Sequence, residues 1–221
     1  MMIVSSLVTL VKKRPQRRHL YAFLLTIVVA TFAGTEEGPV VFMFYKRQYK
    51  IDSETFAWLG SAWGLCAFFS QLLLVPFLSL TLGFRDTTIL ILAFATNILS
   101  YIVEVSMTQV EALFFSWTAL QILWCNMEAT AMSAVSKLTD PGEIGRMLVV
   151  IQLAKAAIMP LGMPFYAMMY KVGLELGFAG LCRCISMFCF GLGLALSAYN
   201  HFAMDRKVYT VQDKTIKDTE T

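Results

Sequence analysis

Charged residues are scarce in this 221-residue chain, at 15% of the sequence, whereas soluble domains carry about 25%. Hydrophobic residues reach 57%, which is more apolar surface than a soluble domain of this length can bury. The net charge is only +3, and the basic residues form no stripe typical of nucleic-acid binding. These deficits exclude a soluble domain and a nucleic-acid partner, and they indicate that the chain lies in a lipid bilayer.

The chain also lacks the motifs of catalysis and of metal or cofactor binding. It contains no HExxH, no GxSxG and no P-loop, and its two histidines, His19 and His201, lie at the edges of apolar runs. The five cysteines lie inside apolar runs without a zinc-binding spacing, so we expect them to behave as small buried apolar groups. We therefore expect no enzyme activity, no cofactor and no metal site.

Six apolar runs reach the length of about 20 residues that a bilayer-spanning helix needs. They predict an all-α integral membrane protein, built as a six-transmembrane-helix bundle with short links that force antiparallel neighbours. Residues 19–200 form this bundle, between a cytoplasmic N-terminal segment (1–18) and a flexible cytoplasmic tail (201–221). The runs cover residues 20–45, 56–84, 87–107, 112–136, 147–170 and 176–199.

Basic residues concentrate at one end of the predicted bundle. The cluster within residues 12–18, together with Arg85, Lys137 and Arg146, falls on the side of the two termini. The opposite side holds fewer basic residues, mainly within residues 46–50. Because cytoplasmic loops carry the excess of Lys and Arg, both termini are expected to be cytoplasmic.

Glu128 and Lys155 are an acid and a base in the fourth and fifth apolar runs. Ionisable groups near the bilayer centre cost about 2.5–3.5 kcal/mol each and are functional candidates by default. Both residues lie roughly 20 Å of helix from Gly142 in the link between their runs, at 1.5 Å per residue. An antiparallel hairpin then predicts a buried ion pair, either proton-linked or static. Alternatively, the two groups face different water pockets.

Glu36 and Glu37 directly precede Gly38 and Pro39 in the first run. Proline removes a backbone donor and kinks a helix, and broken helices line cavities and gates in transporters. The two carboxylates are ~100° apart around a helix, so they must face different directions. They are candidates for coupling or gating, unless both lie at the outer water interface.

Pro160 and Pro164 flank Gly162 in the fifth run and indicate a second broken helix. Two interruptions in six helices suggest moving parts, so both prolines are candidates for gating. The alternative is a fixed kink whose freed carbonyls bond to hydroxyl groups or water.

Four further polar side chains are candidates to line a cavity. Asn97, Gln121 and Asn126 lie within apolar runs, where polar groups mark solute pathways. Arg183 lies about two turns from the outer end of the sixth run, and we favour snorkelling to the outer interface over a ligand role.

Several short motifs resemble one transporter family. Ser136-Lys137-Leu138, followed by EIG at 143–145, resembles the loop between helices ten and eleven of the proton-coupled folate transporter family. This family of the major facilitator superfamily includes heme-carrier-like and thymic-stromal-cotransporter-like proteins. Residues 82–87 (LGFRDT) resemble the link between helices eight and nine, and residues 60–62 and 93–99 resemble those two helices themselves. One departure is Met132, where the folate transporter has an arginine.

The resemblance implies that this chain is the C-terminal six-helix half of a solute carrier. Such a carrier transports a small solute by alternating access, and the family name implies a symporter driven by protons. The substrate cavity lies between two bundles, so a second six-helix bundle is expected, either an N-terminal half or a second copy. The expected location is the plasma membrane or the lysosome. A different interpretation is a non-transporting membrane scaffold or regulator derived from such a carrier.

Overall fold

The computed structural model describes residues 17–37 and 39–219, and within them the chain is helical without a β-strand. The predicted cytoplasmic segment 1–18 falls almost entirely outside the described residues, as do Gly38 and the last two residues. The side chains of Glu37 and of residues 204–219 also lie outside the description. For the part of the chain that is described, the all-α prediction is confirmed.

Eight α-helices and several tighter or wider helical turns make up the described residues. They are α1 (Arg17–Gly34), α2 (Pro39–Gln48), α3 (Ser53–Phe69), α4 (Asp86–Ser106), α5 (Val110–Phe115), α6 (Met127–Lys137), α7 (Ile144–Glu175) and α8 (Leu181–Thr219). A 3₁₀ turn (Thr35–Glu37) joins α1 to α2, and π turns (Ser70–Leu74 and Phe77–Thr81) extend α3. A π turn (Ser116–Leu120) and a 3₁₀ helix (Gln121–Asn126) connect α5 to α6, and we call these two together the irregular segment. A further 3₁₀ turn (Pro141–Glu143) precedes α7.

Four helical stretches in the described residues are long and apolar enough to cross a bilayer. They are Ser53–Thr81, Asp86–Ser106, Ile144–Glu175 and Leu181–Ala203. The apolar helix of the first predicted run is shorter, and the fourth predicted run changes helical type along its length. The chain is therefore an all-α, multi-pass membrane protein, and the two further crossings stay a prediction.

The polar contacts fix the relative direction of α1, α4 and α8. Glu36, just beyond α1, and Glu104, near the end of α4, both lie beside Arg183 at the start of α8. At the other end, His19 Nδ1 of α1 lies 3.1 Å from Asn200 Oδ1 of α8. The helices α1 and α4 are consequently parallel to each other and antiparallel to α8, as the alternating topology requires.

Apolar packing falls into two clusters, one towards each end of the bundle. The cluster nearer the termini contains Phe23, Ile27, Phe94 and Phe190, and the other contains Tyr45 and Tyr166. Because lipid tails are as apolar as these side chains, their burial in a bilayer adds packing contacts but little hydrophobic driving force. Polar contacts between helices therefore carry more of the specificity in this bundle than they would in water.

The helix α1 and its 3₁₀ turn approach α7 closely at Gly162. A Cβ atom built on Gly162 would lie 2.1 Å from Thr35 Oγ1 and 2.8 Å from Thr35 Cβ. Only a residue without a side chain fits at this crossing, as is usual where membrane helices approach each other closely. The small residue therefore fixes α7 against the turn that carries Glu36.

The predicted break at Pro160 and Pro164 is wrong, because α7 runs through both residues without interruption. Each proline removes one helical hydrogen bond, but the two residues are four positions apart and so share one face. Both side chains are exposed, and the hydrogen bonds on the other faces of α7 are kept. The predicted break before Pro39 is confirmed, since the 3₁₀ turn Thr35–Glu37 precedes a new helix there.

The backbone of α8 remains helical as far as Thr219, through most of the predicted tail at 201–221. The sequence contains no proline or glycine after Gly193, so nothing in it ends the helix earlier. That the tail is flexible stays a prediction.

Candidate functional site: a buried ionic cluster and two cavities

Arg183 is buried in the bundle, with 1% of its surface exposed, so the prediction that it snorkels outward is wrong. Its Nη2 lies 3.2 Å from Glu104 Oε2, and its Nε lies 3.5 Å from Glu36 Oε1. Two carboxylates from neighbouring segments therefore offer Arg183 an interior partner set, which outweighs access to water at the interface. We call Arg183, Glu36 and Glu104 the ionic cluster.

Aromatic rings complete the surroundings of the Arg183 guanidinium. Its Cζ lies 4.5 Å from the ring centroid of Tyr101 and 5.1 Å from that of Tyr45, within the range of cation–π attraction. Nη2 also donates a hydrogen bond to Tyr45 Oη. The cation is thus held by ring faces and carboxylates together, which compensates for its removal from water.

Glu104 is completely buried, and of the two acids in the ionic cluster it accepts the larger number of hydrogen bonds from side chains. Its Oε2 accepts a hydrogen bond of 2.8 Å from Tyr45 Oη, besides the contact with Arg183. Its Oε1 is surrounded by three further side-chain donors. These donors are Ser116 Oγ at 2.7 Å, Ser100 Oγ at 3.0 Å and Gln121 Nε2 at 3.0 Å. With these donors and Arg183 around it, Glu104 is the more fully hydrogen-bonded of the two acids in the ionic cluster.

Glu36 has a much poorer set of partners than Glu104. Ser186 Oγ donates a hydrogen bond to its Oε2, and the 3.5 Å contact with Arg183 is beyond the usual length of a hydrogen bond. Glu36 is nevertheless 1% exposed. Two buried carboxylates thus share one guanidinium, and Glu36 is the one whose charge the protein compensates less.

The irregular segment brings Ser116 and Gln121 to the same carboxylate. In a regular α-helix these residues, five positions apart, would lie about 140° apart around the axis at 100° per residue. The π turn instead bonds the Gln121 N–H to the Ser116 carbonyl, so the two residues lie one above the other. Both side chains therefore reach Glu104. Such π turns occur frequently at functional sites.

A cavity of about 250 Å³ borders the ionic cluster. Arg183 and Gln121, two of the predicted cavity residues, lie on its wall. The remaining wall is mainly aromatic, and we call this space the aromatic cavity. Its other lining residues are Val41, Tyr45, Phe56, Gly60, Trp63 and Trp117.

Glu128 and Lys155 form an ion pair, as the sequence predicts, but the pair is partly exposed and not buried. They lie on the wall of a second cavity of about 240 Å³, which we call the Glu128–Lys155 cavity. Trp63 lies on the wall of both cavities and so stands between them. The Glu128 side chain is 43% exposed and that of Lys155 is 20% exposed, so this pair is more open than the ionic cluster.

The other predicted site residues lie away from the two cavity walls. Asn97 is fully buried, and neither of its amide atoms has a hydrogen-bond partner within the described part of the chain. Asn126 is buried too, but its Nδ2 donates to Ser70 Oγ at 2.6 Å, so it joins the irregular segment to α3. The side chain of Glu37 lies outside the described residues.

Glu104 and Tyr45 are the residues of the site that the sequence reasoning missed. Glu104 carried a usable signal, since it is a carboxylate within a predicted membrane span, just as Glu128 is. Tyr45 carried none, because tyrosines at the ends of membrane helices normally mark the interface. Among the described residues, no group of three or more His, Cys, Asp or Glu side chains is placed to hold a metal ion.

Comparison with known proteins finds no matching family model, no matching curated protein and no matching solved structure. The resemblance to the folate-transporter family therefore remains an expectation drawn from the motifs, and the function has to be argued from the site.

Proposed function

We propose that this chain transports a small solute across a membrane by alternating access. The observation that carries the proposal is the ionic cluster, three ionisable side chains buried beside a cavity in a bundle of membrane-spanning helices. Ionisable groups at membrane depth are costly and occur mainly along solute or proton pathways. A purely structural bundle could fill the same space with apolar side chains at lower cost.

The proposed architecture is a six-helix half of a major-facilitator-type carrier with both termini in the cytoplasm. The alternating directions of α1, α4 and α8 support this topology, and the contiguous helical turns around Thr35–Glu37 and Ser116–Asn126 allow the first and fourth runs to span as well. Discontinuous helices of this kind form the binding site in many transporters. The plasma membrane or the lysosome is the proposed location.

A second six-helix bundle is the proposed partner, either an N-terminal half or a second copy. Glu128 is 43% exposed on the surface of this bundle, in a helix that we propose lies within the membrane. A carboxylate there cannot face lipid without a large penalty. A second bundle, or water held between two bundles, would cover it, and the solute would then bind near the bilayer midplane between the two.

Protons are the proposed coupling ion, and Glu36 is the residue proposed to accept them. Glu104 accepts hydrogen bonds from several side chains, whereas Glu36 shares the same guanidinium at 3.5 Å with one hydroxyl donor. Protonation of Glu36 would leave one carboxylate facing one guanidinium, with no net buried charge. Glu128 and Lys155 are proposed for coupling or gating.

The test is solute uptake by the purified chain in liposomes. The vesicles would be incubated with a defined mixture of small organic ions under an inward proton gradient, and their contents measured by mass spectrometry. We expect at least one solute to accumulate with the wild type and with Arg146→Met, an exposed control. Arg183→Met should abolish this uptake, and collapse of the gradient with a protonophore should reduce it.

Uptake no greater than in empty liposomes would remove the proposal that this chain transports by itself and would favour the scaffold interpretation. Equal uptake by Arg183→Met and Arg146→Met would show that the ionic cluster is not part of the pathway. Uptake that the protonophore does not reduce would be consistent with the proposed transport but would exclude proton coupling.

A further inference from the structure

The Glu128–Lys155 cavity presents one anion and one cation to the same small space. Both side chains lie on its wall, and they pair with each other. Lys155 lies eleven residues into α7 and Glu128 nine residues before the end of α6, roughly 14–17 Å from the helix ends at 1.5 Å per residue. With these helix ends at a membrane face, as in the proposed topology, the pair lies near the middle of a bilayer about 30 Å thick.

Trp63, which lies on the wall of both cavities, adds a third polar group beside this one. The indole Nε1 of Trp63 is buried and has no hydrogen-bond partner within the described residues, and Trp63 lines the cavity. A buried donor without a partner is costly, and tryptophan N–H groups normally find an acceptor when buried. A ligand carboxylate between Lys155 and Trp63 would satisfy this donor.

The rest of the wall is largely apolar. It includes Ile27, Ala30, Trp124, Met127 and Met159, together with two threonines on α1 and its following turn. A cavity of about 240 Å³ is smaller than the 300–1,000 Å³ of sites for drug-sized ligands. The space therefore suits a molecule with two charged groups and a small or medium-sized apolar side chain.

We propose that the Glu128–Lys155 cavity binds a small zwitterion of the α-amino-acid class. The ligand carboxylate would lie on Lys155 Nζ and Trp63 Nε1, and its ammonium group on the Glu128 carboxylate. One ion pair is exchanged for two, so neither protein charge is left without a partner. A ligand with only one charge would open the pair and leave either Glu128 or Lys155 uncompensated at membrane depth, which is strongly unfavourable.

This inference adds a substrate class to the proposed transport function, but it is tested by equilibrium binding, which requires no flux. The probes are glycine, leucine and phenylalanine, compared with 4-methylpentanoate and 3-methylbutylamine, which each carry one of leucine's two charges. Binding to the detergent-solubilised chain would be followed by the fluorescence of the tryptophans, two of which line the cavity, and by the shift in melting temperature. We expect leucine to bind at least ten-fold more tightly than either singly charged probe.

The variants separate recognition from folding. Glu128→Gln and Lys155→Met should each weaken leucine binding at least ten-fold. Glu111→Gln, which removes an exposed carboxylate outside this cavity, should not change it. The double variant Glu128→Gln/Lys155→Gln removes both charges together, so it keeps the fold free of an unpaired charge and should still fail to bind.

Equal binding of leucine and the singly charged probes would overturn the proposal. So would the absence of binding by all three amino acids, or wild-type affinity in the doubly neutral variant. Leucine binding without leucine uptake by liposomes would keep the site and remove the transport function. Uptake of other solutes without amino-acid binding would keep transport and remove the site.

Discussion

Arg183→Met is the substitution for which the structure makes the sharpest stability prediction. It removes the single guanidinium that faces two fully buried carboxylates, Glu36 and Glu104. The two acids would then face each other without a counter-charge, and Tyr45 Oη would accept a hydrogen bond only from Trp117 Nε1. Methionine keeps an unbranched apolar stem but lacks the planar guanidinium group, so the change removes volume as well as charge.

The expected magnitude follows from the cost of leaving a buried charge unpaired, about 3–5 kcal/mol. For a chain of this length, each kcal/mol corresponds to roughly 2–4 °C in melting temperature. Arg183→Met should therefore melt roughly 6–20 °C below the wild type. Arg183→Lys should fall between the two, because an ammonium group carries the charge but lacks the planar fork that reaches both acids.

A compensated variant distinguishes lost charge balance from lost packing. In Arg183→Met/Glu36→Gln/Glu104→Gln, no charge remains, and neutral replacements of buried ion pairs are often nearly as stable as the original. The triple variant should thus recover most of the lost melting temperature, measured by tryptophan fluorescence in one detergent. Arg146→Met is the exposed control and should melt with the wild type.

A melting temperature of Arg183→Met within about 2 °C of the wild type would refute this prediction, since that difference is at most about 1 kcal/mol. A triple variant no more stable than the single one would refute it too. In that case the loss comes from packing around the Tyr101 and Tyr45 rings and not from the unpaired acids.

Two further predictions concern a helix crossing and a helix cap. Gly162→Ala should destabilise the chain by about 1–3 kcal/mol, because the new Cβ would lie 2.1 Å from Thr35 Oγ1, whereas Gly64→Ala, in open space, should gain up to about 1 kcal/mol. Equal melting temperatures for the two alanine variants would contradict the close crossing. Asp52 caps α3, and hydrogen bonds from the side chain and the backbone N–H of Thr55 lower its pKa below the ordinary value. The stability from this carboxylate should therefore be present at about pH 5 and be lost as the pH falls through the lowered pKa. Over that range the melting temperature of the wild type should fall more than that of Asp52→Asn. Parallel pH profiles of the two proteins would contradict the prediction.

The pairing of Glu128 with Lys155 was predictable because it is nearly local. The two residues lie at matched distances from one short link, so an antiparallel hairpin places them at equal depth. The break before Pro39 was predictable for a similar reason, since proline acts on its own helix. Both predictions depend on residues that are close along the chain, so the packing of the other helices does not change them.

Local rules fail where tertiary contacts decide the helix geometry. Pro160 and Pro164 have the local signature of a break, yet α7 passes through them. The irregular segment has no proline or glycine and still departs from α-helical geometry. Its distortion accompanies hydrogen bonds to partners on other helices, among them Ser70 and Glu104, which no local pattern contains.

The amino-acid sequence by itself determined that this protein is helical, that it lies in a membrane, and where most of its apolar helices run. These properties follow from the summed hydrophobicity and backbone preference of contiguous residues, and each run expresses them independently. The tertiary structure alone decided that Arg183 faces inward between Glu36 and Glu104, and that Tyr45 and the irregular segment complete their surroundings. The choice between snorkelling to water and pairing inside depends on which helices are neighbours, and that is set by packing across the whole bundle.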